Sequence, residues 1–168
     1  MSTDKPTRAV DYLRVSDTRG RSDNLISFDV QAEKCAELRG RRGWTFVKEI
    51  RDPDRKGSTL DRPGLNEARK LLEDGDADVI VVWRLDRFAR SMVKMLLIVF
   101  EIGEAGGGVV STWPQEKLMD TSTALGRGIA ALLFSLNEEE LDKIRSNWRN
   151  AAEHAVANGW YMGGRGGT

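Results

Sequence analysis

The chain has one cysteine, Cys35, and one histidine, His154. A lone thiol cannot close an internal disulfide, and neither residue has a partner at metal-ligand spacing. A disulfide scaffold and a zinc site are therefore excluded, and a reducing cytoplasm is the expected compartment. The same scarcity removes most histidine-based acid–base schemes, since a Ser-His-Asp triad would have to use His154, very late in the chain. Long apolar runs are also lacking. No stretch could span a bilayer, and the opening MSTDKPTR has none of the apolar character of a signal peptide, so a soluble protein with no membrane partner is expected. Nor is there an excess of charge: 26 basic residues balance 26 acidic ones, against the basic bulk usual in a dedicated nucleic-acid-binding domain. Distribution matters more than the total. Arg84, Arg87, Arg90 and Lys94 face only Asp86, while acids gather in Asn137-Glu138-Glu139-Glu140-Leu141-Asp142.

What is present suits one globular domain with an appended element: 168 residues, 40% of them apolar. Residues 8–15 read as a first strand ending at Ser16. Ser27 is a suitable N-cap for a helix over 28–41, with Val30, Cys35 and Leu38 as its apolar positions and Gly43 as its stop. Trp44 to Ile50 reads as a second strand, followed by a charged loop from Arg51 to Arg62. Pro63 opens a short helix through Leu72. Asp78 to Trp83 is a continuous apolar strand, as expected where both faces are buried. An apolar helix over 91–105 ends at Gly106-Gly107-Gly108, and Val109 to Thr112 forms a fourth strand. This alternation predicts an α/β fold with a mainly parallel sheet of four to five strands flanked by helices.

The last third differs. From Thr123 to Asn158 there is no proline, and the only glycines are Gly126 and Gly128, which predicts one long C-terminal helix. Leu125, Ile129, Leu132 and Leu136 form one apolar register; Leu141, Ile144, Trp148, Ala151 and Ala155 form another. The step between them is five, across the acidic run. Either the first stripe packs on its own domain while the second faces a partner, or the helix breaks near Asn137 and folds back. The expected organisation is an α/β core over 1–122, a long helix over 123–158 for assembly, and a linker over 159–168.

Arginine carries the chemistry. Arg14 lies two residues before Ser16 at the end of the first strand. Arg87 and Arg90, three apart at an expected helix start, share a face. Arg62 closes the charged loop. Ligands of parallel sheets bind beyond the carboxyl ends of strands, so the loops after strands one and three bring Ser16 and Asp86-Arg87-x-x-Arg90 to one crevice. Phosphoryl transfer needs alignment and neutralisation of charge on phosphate oxygens, which guanidinium forks provide. Taken singly, each motif also fits a capping serine or a solvated base. Asp11, Asp52, Asp54 and Asp86 lie near strand ends and could hold magnesium, though such acids are common caps and turn formers; no metal or other cofactor is expected.

The motifs Tyr12-Leu13-Arg14-Val15-Ser16, Ser27-x-x-x-Gln31, Leu60-Asp61-Arg62-Pro63-Gly64-Leu65, Leu85-Asp86-Arg87-Phe88-Ala89-Arg90-Ser91 and Asp120-Thr121-Ser122-Thr123-Ala124-Leu125-Gly126-Arg127 occur in that order. Together, over residues 8 to 164, they resemble the resolvase/invertase catalytic domain of serine site-specific recombinases. The ending Gly159-Trp160-Tyr161-Met162-Gly163-Gly164 is most like the large serine integrase branch. The resemblance implies that Ser16 forms a 5′-phosphoserine bond with DNA and releases a 3′-hydroxyl, without metal or ATP. It assigns phosphate activation to Arg14, Arg62, Arg87 and Arg90, acid–base or arginine-orienting work to Asp86, and support to Tyr12 and Gln31. It further implies DNA recombination sites as partners and a homo-oligomer, dimer to tetramer, built on the long helix. Three departures stand out. The charged loop reads Pro53-Asp54-Arg55-Lys56-Gly57 where the family has Asp-x-x-Ser-Gly, so Lys56 takes the serine position and Asp52 or Asp54 supplies the acid. On the long helix the family's Glu-Arg pair falls on Ser146-Asn147, leaving Arg145 one residue away. Relatives continue after the double glycine into a large DNA-binding region, so a catalytic domain separated from that region is the expectation.

Two other readings remain: a metal-dependent nuclease of similar fold, and a catalytically inactive assembly module. A tyrosine recombinase does not fit, because His154 is followed by Ala-Val-Ala and lacks the expected arginine.

Overall fold

The computed structural model describes residues 5–15, 27–53, 62–87, 92–137, 139–140, 142–143, 146–147, 149–150 and 153. Four strands, β1 (Arg8–Val15), β2 (Thr45–Pro53), β3 (Val79–Val82) and β4 (Gly108–Ser111), form a parallel sheet in the order β2-β1-β3-β4. Helices α1 (Phe28–Arg42), α2 (Pro63–Glu73) and α3 (Met92–Glu104) connect them, and α4 (Ala124–Leu136) follows β4. β3 is apolar and wholly buried, as its unbroken run requires. Along β1, side chains alternate between two cores. Val10 and Tyr12 join Leu65, Leu72, Leu96, Val99 and Ile102 under α2 and α3. Ala9 and Leu13 join Cys35 and Leu38 under α1.

α1 begins and ends as its caps dictate. Ser27 Oγ accepts from the Val30 N–H at 3.3 Å, and Gly43 closes the helix at φ 64°. The inward stripe is Gln31, Cys35 and Leu38, whereas Val30 is 41% exposed. The polar Gln31 thus takes the inward place expected for Val30, because its amide has backbone partners on β1.

Asp11 sits in the middle of β1, not at its end, and its side chain is buried on the α1 face against Arg39, with Nε 3.0 Å from Oδ1. Burial pushes its carboxyl up to about 6 against the pull of Arg39. A folded-state value above the ordinary one means the fold retains this proton where the unfolded chain releases it. Stability from this group is therefore present below the ordinary carboxyl value and lost as pH rises through about 6. The loss is of the order of 3 kcal/mol. In urea titrations, Asp11→Asn should flatten the fall in stability between about pH 4 and pH 7 relative to the parent chain; parallel curves would assign the titration to other groups.

α4 corrects the expected packing. Leu125, Leu132 and Leu136 are 67%, 61% and 73% exposed, so the leucine stripe does not cover its own domain. The adjacent stripe does: Gly126 is buried, Ala130 and Leu133 pack on the core under α3, and Phe134 stacks on Phe100 at 4.3 Å. Small residues win because the start of the helix lies so close to the segment before it. A methyl at Gly126 would stand 1.8 Å from the Asp120 carbonyl oxygen. Gly126→Ala should cost about 3 kcal/mol through overpacking, read as a lowered melting temperature. Gly128→Ala meets open space and should be neutral or slightly stabilising.

The helix stops at Asn137, at φ −114°, with Asn137 Nδ2 donating to the Leu133 carbonyl at 2.7 Å. Helical backbone is found again at 139–140 and at described positions up to 153. The five-residue step between the two apolar registers coincides with this interruption. At the other end, Thr123 caps α4 by accepting from the Gly126 N–H at 3.0 Å. The buried Asp120 just before it accepts from Arg42 Nη2 at 2.6 Å and from the Ser122 N–H at 3.1 Å. Among the described residues no helix is long and apolar enough to cross a membrane.

Candidate active site

β2 lies to one side of β1 and β3 to the other, so successive connections leave the ends of β1 and β3 in opposite directions and open a crevice there. Tyr12, Arg14, Gln31, Asp52, Arg62, Asp86 and Arg87 gather around these carboxyl ends. Arg14, the penultimate residue of β1, is gripped through its backbone. Its N–H donates to Gln31 Oε1 at 3.2 Å, and its carbonyl accepts from Gln31 Nε2 at 3.1 Å. Gln31 thereby completes the hydrogen bonding where β1 leaves the sheet. Its burial at 0% exposure is explained by this pair of bonds.

Two residues back on the same face, the fully buried Tyr12 hydroxyl donates to Asp52 Oδ2 at 2.9 Å. Burial, with the Asp52 carboxylate beside it, pushes the Tyr12 phenol above its usual range, while Arg62 and Arg14 pull the other way. The phenol therefore stays protonated as a donor. Asp52 lies on the last part of β2, opposite Arg14, and Gly64 of α2 packs against it. A Cβ on Gly64 would come within 2.9 Å of Ile50 Cγ2 and 3.0 Å of Asp52 Cβ. The glycine lets the helix start close to the strand, with Arg62 at its N-cap. Of the acids considered for a metal, Asp11 and Asp52 point to opposite faces of the sheet and cannot share an ion.

Across the crevice, Leu85–Arg87 form a 3-10 turn, and α3 is described over Met92–Glu104. Arg87 therefore sits on a 3-10 turn and not on an α-helix, and Arg90, expected on the same face, lies outside the described residues. Its Nε donates to Asp86 Oδ1 at 3.1 Å, while Asp86 Oδ2 pairs with Arg84 Nη2 at 3.1 Å. Arg14 Nη1 donates to the Arg87 carbonyl at 3.2 Å. This bond joins the two sides of the crevice. Two guanidiniums from separate strand ends, with a third at the mouth of α2, form a site suited to a phosphodiester.

Ser16, Arg90 and Arg145 fall outside the described residues, as do Asp54, Lys56 and His154. Sequence reasoning placed Arg84 in a basic segment without a role and missed Gly64. The Gly at the second position of a helix opened by Pro63 was a usable signal for Gly64. For Arg84 the signal lay in aromatic residues distant in sequence.

Comparisons with known proteins agree with this geometry. The family model Resolvase, N terminal domain, matches residues 9–161. The serine recombinase Gin of Escherichia phage Mu is 35% identical over 156 residues, 93% of this chain and 71% of its own length. A DNA-invertase of Escherichia phage P1 is 35% identical over 109 residues, 65% of this chain. This chain spans 55% of that invertase, about half its length. Among solved structures, the N-terminal catalytic domain of TP901-1 integrase matches with a TM-score of 0.66 at 26% identity, covering 81% of this chain and 98% of that one. On the match from residue 9 to residue 161, and on a fold and motif order that agree with it, the chain belongs to the resolvase N-terminal domain family.

Proposed function

We propose that this chain is the catalytic domain of a serine site-specific DNA recombinase, with Ser16 as nucleophile. The observation that carries the reading is the bond between Arg14 and the Arg87 backbone, which draws the ends of β1 and β3 into one cationic crevice beside Ser16's place in the chain. Ser16 Oγ attacks the phosphorus of a DNA phosphodiester and loses its proton. The bond from phosphorus to the 3′ oxygen breaks, and that oxygen takes up a proton as the free 3′-hydroxyl. The 5′-phosphate remains esterified to Ser16. Rejoining is the reverse reaction with a new 3′-hydroxyl, so bond energy is conserved and neither ATP nor a metal is required. Arg14, Arg62, Arg87 and Arg90 neutralise the charge on the phosphate oxygens. Asp86, paired with two guanidiniums, fits the arginine-orienting role better than that of a free base. Tyr12, Asp52 and Gln31 hold the scaffold.

DNA sites are the substrate, and a homo-oligomer, dimer to tetramer, is the working form, in the cytoplasm. The exposed Leu125, Leu132 and Leu136 on α4 favour assembly through the 123–158 segment, including Arg145 for DNA contact, with 1–122 as catalytic core and 159–168 as linker. The test is to incubate the chain with a duplex carrying a mismatched or nicked crossover, in EDTA, and to resolve the products on a denaturing gel. A covalent protein–DNA species with a free 3′-hydroxyl is expected. Cleavage only with added magnesium would favour a nuclease, and no cleavage under any condition would favour an inactive assembly module.

A further inference from the structure

Beyond the four arginines of the proposed site stands a fifth, Arg84, held by an aromatic seat. Trp113 crosses Trp83 edge-on at 5.8 Å between ring centroids. The Arg84 guanidinium lies 4.7 Å from the Trp113 centroid and 5.5 Å from that of Trp83. Stacking of this kind is attractive and restricts the side chain. The backbone on both sides of Arg84 is also fixed from the end of β4 and the segment after it. The Trp83 carbonyl accepts from Thr112 Oγ1 at 2.9 Å and from Ser111 Oγ at 3.3 Å. The Leu85 N–H donates to Glu116 Oε2 at 2.8 Å. Residues 111–116 thus build a socket for one arginine. Arg84 Nε is buried and, among the described residues, has no hydrogen-bond partner; the guanidinium is engaged through Nη2, which meets Asp86 Oδ2.

That contact decides how Asp86 can treat Arg87. A carboxylate with both oxygens available to one guanidinium forms a two-point fork with it. Here one oxygen faces Arg84 and the other accepts from Nε of Arg87, whose guanidinium also lies 5.3 Å from the Trp83 centroid, so the two terminal nitrogens of Arg87 stay outside the pair. Partly exposed ion pairs usually contribute little, because two long side chains must be ordered. Arg84 is already ordered by its tryptophans, which lowers that cost.

We propose that Arg84, seated on Trp113 and Trp83, is a positioning residue: it holds Asp86 to one oxygen on Arg87 and so keeps the terminal nitrogens of Arg87 available to phosphate. The inference rests on the recombinase reading for its purpose, but its geometry can be tested without DNA. In the 168-residue chain, the Arg87 Nε–H resonance, identified by its loss in Arg87→Ala, should shift in Arg84→Met as Asp86 re-pairs. In single-turnover cleavage, Arg84→Met should slow adduct formation about tenfold at unchanged half-saturating DNA concentration, as misplacement of one catalytic group does. The slowing should vanish in an Asp86→Asn background, where Arg84 has no carboxylate to hold. If Arg84→Met does not fold, Trp113→Leu removes the stacking surface while keeping the charge, and should shift the same resonance and slow cleavage about threefold. An unmoved Arg87 resonance, or equal slowing with and without the Asp86 carboxylate, overturns the proposal. If the parent chain forms no adduct, the recombinase reading fails, and the resonance alone decides the placement of Arg87.

Discussion

Ser16→Ala should eliminate the covalent protein–DNA species, with adduct formation falling by at least about 10⁴-fold, the scale on which removing a covalent nucleophile acts. The loss should be confined to chemistry. β1 ends at Val15, and the residue before that is clamped on both backbone atoms by Gln31. Deleting one hydroxyl beyond the strand leaves those bonds intact. Thermal stability and DNA affinity of the alanine variant should therefore match the parent, measured by melting and by gel shift on the same mismatched duplex. An adduct still formed by Ser16→Ala would move the nucleophile to another residue, and labelled-peptide mapping of the trapped species would then identify it.

The second large effect is expected at Arg87. Arg87→Ala should slow cleavage by about 10²-fold, since one lost transition-state contact costs on the order of 3 kcal/mol. The substitution also removes the pair with Asp86 and the contact with Trp83, but it spares the anchor of Arg14. Arg14 is held by the carbonyl of residue 87 and not by its side chain, so alanine removes one guanidinium while the other keeps its backbone anchor. Arg87→Lys should recover little, because an ammonium cannot both pair with Asp86 through one edge and present a planar fork. Ground-state DNA affinity should change far less than the cleavage rate. Near-normal cleavage by Arg87→Ala would reduce this residue to surface charge.

How much of this was legible depended on whether a signal was local. The limits of β1 and the start and stop of α1 follow from an apolar stretch, a capping serine and a glycine, all within a few residues of what they control. The approach of Arg14 to Arg87 followed too, because parallel strands dictate where their connections emerge. Packing choices between similar stripes did not. The leucines of α4 form the better apolar register on paper, yet Gly126 and Ala130 face the domain, and at 126 Asp120 leaves no room for a side chain. Asp11 read as a strand-end acid; its burial depends on Arg39, 28 residues away. Arg87 was placed on a helix because charge spacing cannot distinguish a 3-10 turn from the first turn of α3. The seat of Arg84 depends on Trp113, brought near only once β3 and β4 pair. Local chemistry predicts elements, whereas contacts that depend on sheet order must await the fold.

Helix α1 is tied down at both ends. Gln31, near its beginning, grips the exit of β1, and Arg42, its last residue, grips Asp120 at the threshold of α4. The two anchor points are eleven residues apart on one rigid helix, about 16 Å along its axis. α1 therefore acts as a tie rod between the strand that ends at Val15 and the helix that displays Leu125, Leu132 and Leu136. A pull on the start of α4 is borne at the far end by Gln31, so a load on the exposed leucines of α4 has a stiff mechanical route to the carboxyl end of β1.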